Sequence, residues 1–88
     1  MPETVIRLIN PLGLHARAAA KLVRCAAGFE SRVVIHHAGK MADAKSILSV
    51  LTLAAACGSE IKMVAEGGDA SKALEEITAV VASGFGEV

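Results

Sequence analysis

The sequence predicts an α+β fold, an open-faced two-layer sandwich in which helices cover one face of a mainly antiparallel sheet. Apolar residues recur at strand spacing in some segments and at helical spacing in others, in the order β-α-β-β-α-β-α. Elements with a single apolar face pack together as two layers. A chain of 88 residues has room for one core, so we predict a single domain over residues 1–88.

The amino-acid composition indicates which classes of partner this protein does not bind. The hydrophobic share is 53% and nearly all aliphatic, which is typical of an ordered globular chain. Aromatic residues make up 2%, and nine basic residues balance nine acidic ones, so we expect no nucleic-acid partner. No stretch approaches the ~20 apolar residues of a membrane span, and no basic leader precedes an apolar run. We therefore expect a cytoplasmic protein with no membrane insertion.

The two cysteines, Cys25 and Cys57, have neither a CxxC partner nor the spacing of metal ligands. They could form a disulfide. Without a secretory signal, however, two buried thiols are the expected state.

The first part of the chain predicts a strand, a loop and a helix. Residues 4–9 are rich in β-branched side chains and indicate the first strand. Residues 10–13, "NPLG", are a breaker cluster typical of a loop. Apolar positions then recur at helical spacing from Ala16 to about Ala27, and Gly28 can end the helix in the left-handed conformation.

The middle of the chain predicts a hairpin followed by a short helix. Arg32–His37, "RVVIHH", indicates the second strand. A turn through Gly39 leads into a short third strand near residues 40–42. Ser46 then precedes the apolar run "ILSVLTL", where its hydroxyl is a good N-cap for the second helix.

The last part predicts a strand and a third helix. Apolar residues alternate with charged ones over Glu60–Glu66, as in a half-buried strand. Asp69 is placed to cap the final helix, which ends near Gly84. The apolar stripe of that helix consists of Ala70, Ala73, Leu74, Ile77 and Val81.

The candidate site is His15, because a histidine stands where Ser, Thr, Asn or Asp usually caps a helix. The first turn of a helix presents unpaired amides and about half a positive charge, which disfavours the imidazolium form and leaves a neutral, nucleophilic ring. A phosphoryl group on that ring would meet the amides of Ala16 and Arg17, and the Arg17 guanidinium could fork onto its oxygens. The alternative is an ordinary surface histidine that only caps a helix beside a solvated arginine.

Two segments carry a family resemblance: "GLHARAAAKLV" from residue 13 and "AKSILSVLTLAAACGSEIKMVAEGGDASKALEEI" from residue 44. The chain resembles HPr, the histidine-containing phosphocarrier family of the bacterial phosphoenolpyruvate:sugar phosphotransferase system, nearly end to end. The resemblance implies a four-stranded antiparallel sheet with three helices, and phosphorylation of His15 on Nδ1 with Arg17 as charge partner. It also implies Enzyme I as donor, sugar-specific IIA domains as acceptors, a monomer, no cofactor, and a carrier that is not itself an enzyme.

The resemblance also implies a regulatory site and a docking surface. Ser46 matches the serine that an ATP-dependent kinase, HPr kinase/phosphorylase, modifies in many Gram-positive relatives; the alternative is a plain N-cap. A phosphate there would add nearly two negative charges and oppose docking to an acidic partner. Apolar residues around His15 would form a rim where partners dock, although each could instead belong to the core: Leu14, Ala20, Ile47, Leu48 and Leu51.

Some residues depart from the family pattern. Ala18 replaces the proline that commonly follows the His-x-Arg motif. Proline is favourable in the first turn of a helix, so we expect this replacement to make the start of the helix less stable. Leu12 stands where relatives often carry Ser or Asn, and Ala27 where some have a basic residue. His36 and His37 are adjacent on a strand and point to opposite faces, so we predict no metal site.

Two further functions stay open at this point. One is a regulatory paralogue of HPr that serves a nitrogen-control branch or acts as the co-effector of a transcription factor. The other is an α+β interaction module in which His15 only caps a helix and takes part in no reaction.

Overall fold

The computed structural model describes residues 1–87 and contains the seven predicted elements in the predicted order. The α+β open-faced sandwich is confirmed. The elements are β1 (Glu3–Arg7), α1 (Ala16–Ala27), β2 (Arg32–His37), β3 (Lys40–Asp43), α2 (Ile47–Thr52), β4 (Glu60–Glu66) and α3 (Ala70–Ala82), followed by a 3₁₀ turn at Gly84–Gly86.

The four strands form one antiparallel sheet in the order β1-β4-β2-β3. β4 lies between β1 and β2, and its alternation places Ile61, Met63 and Ala65 in the core. α3 packs against β1, β4 and β2, while α1 contacts both other helices. The five residues of the predicted α3 stripe are all buried. Ile77 is fully buried, and burying a side chain of that size stabilises the fold by about 1.5–3 kcal/mol.

The β2–β3 hairpin turns through two residues with positive φ, Ala38 at 50° and Gly39 at 82°. His37 pairs with Lys40 across this two-residue turn. Two left-handed residues match the right-handed twist of the paired strands. The turn predicted at Gly39 is therefore present, and Ala38 occupies a conformation that glycine or asparagine adopts more readily.

Three local expectations are wrong. Gly28 is right-handed, with φ −75° and ψ −4°, and the helix ends because the Gly28 N–H donates to the Cys25 carbonyl at 3.2 Å. The two thiols are free as expected, but Cys57 is exposed and Cys25 only half-buried. Partial burial raises the pKa of the Cys25 thiol, and the charge of Glu76 adds to the shift. Finally, β1 ends at Arg7, two residues before the predicted boundary.

Asp69 holds the N-cap position of α3, but its carboxylate makes no capping bond to that helix. The carboxylate instead accepts hydrogen bonds from the Glu30 amide at 3.0 Å, the Ser31 amide at 2.9 Å and the Ser31 hydroxyl. Ser31 is buried, and Gly67 packs so closely that an added Cβ would lie 2.6 Å from the Ser31 hydroxyl. Asp69 therefore ties the approach to β2 to the start of α3.

We predict that Asp69→Asn lowers the thermal stability, because an amide cannot accept all three bonds. The Ser31 hydroxyl and then the Glu30 amide hold the pKa of Asp69 below its ordinary value. A lowered folded pKa stabilises the protein above the unfolded value of about 3.9, and that contribution is lost as pH falls through the folded value. The gap in Tm between wild type and Asp69→Asn should therefore be wide at pH 7 and should shrink progressively as the pH falls below about 4.

Glu75→Gln is the matched control, since Glu75 is an exposed carboxylate of α3 with no hydrogen bond among residues 1–87. Its Tm should follow the wild type at every pH. A gap for Asp69→Asn that stays constant across this range would contradict the assignment.

Candidate functional site

The loop between β1 and α1 is held in place by its own backbone and by the segment after α2. The Gly13 amide donates to the Asn10 carbonyl at 3.1 Å, and the Leu14 amide donates to the Ala55 carbonyl at 2.9 Å. Gly13 has φ 62°, and an added Cβ there would lie 2.4 Å from the Ala55 oxygen. This position requires glycine both for its backbone angle and for the close approach.

His15 is the N-cap of α1, as the sequence predicts. Its backbone is extended, and its Nδ1 accepts a hydrogen bond from the Arg17 amide at 3.3 Å. The first intrahelical bond runs from the Ala19 amide to the His15 carbonyl at 2.8 Å, so the amides of residues 16–18 precede the helical ladder. The His15 side chain is 24% exposed, which leaves one edge of the ring accessible.

A carboxylate that the sequence reasoning missed contacts the other side of the ring. The Nε2 of His15 lies 2.5 Å from Glu87 Oε2, across 72 residues of sequence. Because Nδ1 accepts a bond from an amide and Nε2 faces a carboxylate, one neutral tautomer satisfies both contacts, with the proton on Nε2 and a lone pair on Nδ1. The expected environment was a positive helix end alone, whereas Glu87 places a negative group beside the same ring.

Glu87 is itself fixed by neighbouring groups, and its side chain is 14% exposed. The buried Asn10 amide group donates from Nδ2 to Glu87 Oε1 at 3.1 Å. This bond lowers the pKa of Glu87; desolvation acts in the opposite direction, and the bond from His15 and the charge of Arg17 lower it further. Glu87 is therefore ionised at neutral pH. The sequence feature that could have indicated this position of Glu87 is "GFGE", because two glycines around Phe85 permit a tight turn of the chain.

Arg17 is exposed beside His15. Its guanidinium borders a shallow cavity of about 370 Å³ that is also lined by Leu12, Lys21 and Glu87. Lys21 is engaged, since its Nζ donates to the Phe85 carbonyl at 2.6 Å. Among the cations that line this cavity in residues 1–87, Arg17 is the exposed one, and its guanidinium can turn toward an anion on the ring.

The structure places Ser46 and the predicted docking residues in different environments. Ser46 caps α2 as predicted, its hydroxyl accepting from the Ser49 amide at 3.3 Å. Ile47 is 42% exposed and Leu48 77% exposed. Leu51 and Ala20 are half-buried. Leu14 is 4% exposed and lies in the core, so it supports the loop from beneath and does not belong to an exposed rim.

The remaining histidines lie on the sheet. His36 and His37 are both half-buried, and His37 Nδ1 lies 3.2 Å from the Glu60 carbonyl oxygen. Within residues 1–87, no three His, Cys, Asp or Glu side chains come together in a way that could hold a metal ion. No helix in the described part of the chain is both long and apolar enough to cross a membrane.

Residues 2–83 match the family model for the PTS HPr component phosphorylation site. The chain is 45% identical over 80 residues to a phosphocarrier protein HPr from Cupriavidus necator, covering 91% of this chain and 90% of that protein. It is 40% identical over 85 residues to a phosphocarrier protein NPr from Shewanella violacea, covering 97% and 93% respectively.

Solved structures share the fold over the whole length. HPr-C-His from Thermoanaerobacter tengcongensis superposes with a TM-score of 0.96 at 36% identity, covering 100% of this chain and 99% of that one. An HPr dimer from the same organism has a TM-score of 0.79 at 37% identity, covering 99% and 100%.

The fold and these matches define a phosphocarrier, a protein that carries a phosphoryl group and is not itself a catalyst. The chain belongs to the HPr family of the phosphotransferase system.

We predict that Gly13→Ala destabilises the protein by about 2 kcal/mol or more, because the new methyl group meets backbone atoms of Ala55 and Ala56 at 2.4 and 2.8 Å. Urea denaturation measures the change. Gly39→Ala is the matched control: Gly39 also has positive φ, at 82°, but nothing lies within 4 Å of an added Cβ. Equal losses in the two variants would contradict the close approach as the cause.

Proposed function

We propose that His15 accepts a phosphoryl group from phosphorylated Enzyme I and passes it to sugar-specific IIA domains. The observation that carries this proposal is the placement of Nδ1: it has a lone pair, faces the amides of the α1 N-terminus, and belongs to a ring that is 24% exposed in a chain of the HPr family. A carrier needs such an accessible nucleophile because two different proteins must reach it in turn.

Phosphoryl transfer depends mainly on two things: positioning of the reacting groups, and neutralisation of the negative charge on the phosphoryl oxygens. The Nδ1 lone pair forms a bond to phosphorus while the donor's bond to phosphorus breaks, and that electron pair stays with the donor. The oxygens of the acquired group then meet the amides of Ala16 and Arg17 and the Arg17 guanidinium. The Arg17 amide, which now donates to Nδ1, is released by the reaction to donate to the new oxygens.

Partner recognition in this proposal uses apolar contacts beside the site. The proposal takes as this surface the exposed Ile47 and Leu48 of α2, with half-buried Leu51 of α2 and Ala20 of α1, because the two helices pack against each other. Exposed apolar residues next to a reactive group are typical of a docking surface. The proposal includes a cytoplasmic monomer without nucleic-acid partners, and light scattering of the purified chain tests the monomeric state against the dimer known for a relative.

A second candidate is a regulatory phosphocarrier that serves a nitrogen-control branch or acts as co-effector of a transcription factor. The similarity to NPr from Shewanella violacea favours it, because that likeness nearly equals the likeness to HPr from Cupriavidus necator. Both candidates require phosphorylation of His15. They differ in the protein that accepts the phosphoryl group, and both differ from an interaction module in which His15 only caps α1.

We predict that Enzyme I and phosphoenolpyruvate convert the protein to an acid-labile phosphoryl adduct, one per chain, and that His15→Ala abolishes it. Mass spectrometry at neutral pH counts the adduct, and brief acid treatment shows its lability. His37→Ala is the matched control, because it removes an imidazole from the sheet and should leave the adduct intact. An adduct that persists in His15→Ala, or none in the wild type, would overturn the proposal.

The acceptor then separates the two candidates. Transfer from the adduct to a sugar-specific IIA domain, faster than to a nitrogen-branch IIA domain, supports the sugar carrier. The reverse order of rates supports the regulatory paralogue.

Ser46 is proposed as a regulatory site that HPr kinase/phosphorylase modifies. We predict that the kinase and ATP yield one acid-stable phosphate on the wild type and none on Ser46→Ala. Ser49→Ala is the control, since Ser49 lies in the same helix. Phosphorylation should slow phosphoryl transfer from Enzyme I, because nearly two added negative charges beside Ile47 and Leu48 oppose an acidic partner. Absence of the acid-stable phosphate with active kinase would end this assignment.

A further inference from the structure

A groove lies on the open face of the sheet, opposite the face that packs against the helices. The strand register places four residues in one row across β1, β4, β2 and β3: Val5, Lys62, His36 and Met41. Directly opposite residues on neighbouring strands share a face of the sheet, and the core residues of β4 alternate with Lys62 and point to the other face. This row and the β2–β3 turn line a cavity of about 470 Å³, which lies within the size range of small-molecule sites.

Basic side chains predominate around this groove. Four of the lining residues are basic: His36, His37, Lys40 and Lys62. Glu60 is the acidic residue of the lining, and its carboxylate lies 3.5 Å from the guanidinium of Arg7. The groove therefore favours an anionic ligand.

The two lysines are only weakly engaged by the protein. Lys62 Nζ lies 3.7 Å from Glu3 Oε1, and both side chains are roughly half exposed, so this ion pair is weak. Lys40 Nζ donates to the Thr52 carbonyl at 3.4 Å, which is longer than a typical hydrogen bond. Both ammonium groups can therefore turn toward a ligand in the groove.

The two imidazoles have hydrogen-bonding capacity that the protein leaves unused. His36 is half-buried and makes no hydrogen bond to another group within residues 1–87. His37 Nδ1 lies 3.2 Å from the Glu60 carbonyl oxygen; because a carbonyl only accepts, Nδ1 carries a proton and donates. Nε2 is then the nitrogen of His37 left for a ligand, and it donates only when the ring is protonated. An anion in the groove favours that protonated form.

The β2–β3 turn contributes two backbone donors to the same groove. Ala38 and Gly39 line it, and the amides of both residues lack a backbone partner in the part of the chain that the structure describes. Successive amides in a turn are typical donors to anions.

We propose that this groove binds a small phosphate monoester, whose phosphate group is held by the imidazoles of His36 and His37 and by the ammonium groups of Lys40 and Lys62. The basic residues come from β2, β3 and β4, so they border the groove on several sides. A phosphate group offers three terminal oxygens to such donors, whereas a carboxylate offers two in one plane.

The organic part of the ligand also has a place in the groove. Val5 and Met41, at the two ends of the row, are 58% and 67% exposed and offer apolar contacts. The groove shares no lining residue with the cavity beside Arg17. The proposed site is therefore separate from His15 and does not depend on the carrier function.

NMR titration of the full-length, nitrogen-15-labelled protein with inorganic phosphate and with phenyl phosphate tests the site. We expect saturable shifts of the Ala38, Gly39 and Lys40 amide signals with a millimolar Kd, lower for phenyl phosphate because its ring reaches the apolar residues. The ring nitrogens of His36 should shift toward the protonated form. Benzyl alcohol, which has an aromatic ring and no phosphate, should leave these signals unchanged.

Variants then identify the groups that bind. Lys62→Gln should raise the Kd for phenyl phosphate about fivefold, between the small effect of an exposed ion pair and the larger effect of a charged hydrogen bond. Lys72→Gln is the matched control, because it removes the same charge from α3 and Lys72 does not line the groove. His36→Gln should weaken binding by a similar factor, and an unchanged Tm shows that the fold is intact. His15→Ala should leave the groove signals and their Kd unchanged.

Four results contradict the proposal. The first is shifts that do not saturate, and the second is shifts confined to α1 that disappear in His15→Ala. The third is a wild-type Kd in both Lys62→Gln and His36→Gln. The fourth is equal weakening by Lys62→Gln and Lys72→Gln, which reports net charge and not a site.

Discussion

The site depends on one imidazole that is held between two groups of opposite character. The Arg17 amide lies at 3.3 Å from Nδ1 and the Glu87 carboxylate at 2.5 Å from Nε2. The β1–α1 loop that carries His15 lies against the segment after α2, so closely that an added Cβ on Gly13 would lie 2.4 Å from the Ala55 carbonyl oxygen. That close approach sets the direction in which the chain enters α1, and it therefore sets the orientation of the ring.

The sheet and helices supply the rigidity that this arrangement needs. α1 packs against α2 and α3, and α3 packs against three strands, so the helix that His15 caps is supported on several sides. The C-terminal turn is anchored separately, through buried Phe85 and the bond from Lys21 of α1. A site built from two loops and a chain terminus gains its precision from these anchors, since loops alone open more easily than packed elements.

Local patterns in the sequence predict most of the fold. Of the site, they predict His15 and its place at the start of α1, but not the carboxylate that faces the ring. The order of elements, the buried stripe of α3 and the caps at His15 and Ser46 follow from periodicity and capping preferences, which are short-range. Glu87 was missed because it meets His15 across 72 residues, and no local rule relates them. The same reason explains Asp69, a residue typical of caps whose carboxylate finds stronger donors on a distant loop. The burial of Leu14 and the exposure of Cys57 likewise depend on tertiary packing.

Ala18 shows how the structure accommodates a departure from the family motif. Proline would have favoured the first turn by its fixed φ and would have lacked an amide. Here α1 nevertheless begins at Ala16, because His15 accepts from the Arg17 amide and the Ala19 amide closes the first helical bond. Ala18 is fully buried, so its methyl group contributes to the core under the site. The cap and the core thus replace the local preference that proline supplies, and the loss at one position is compensated by contacts that the motif alone does not reveal.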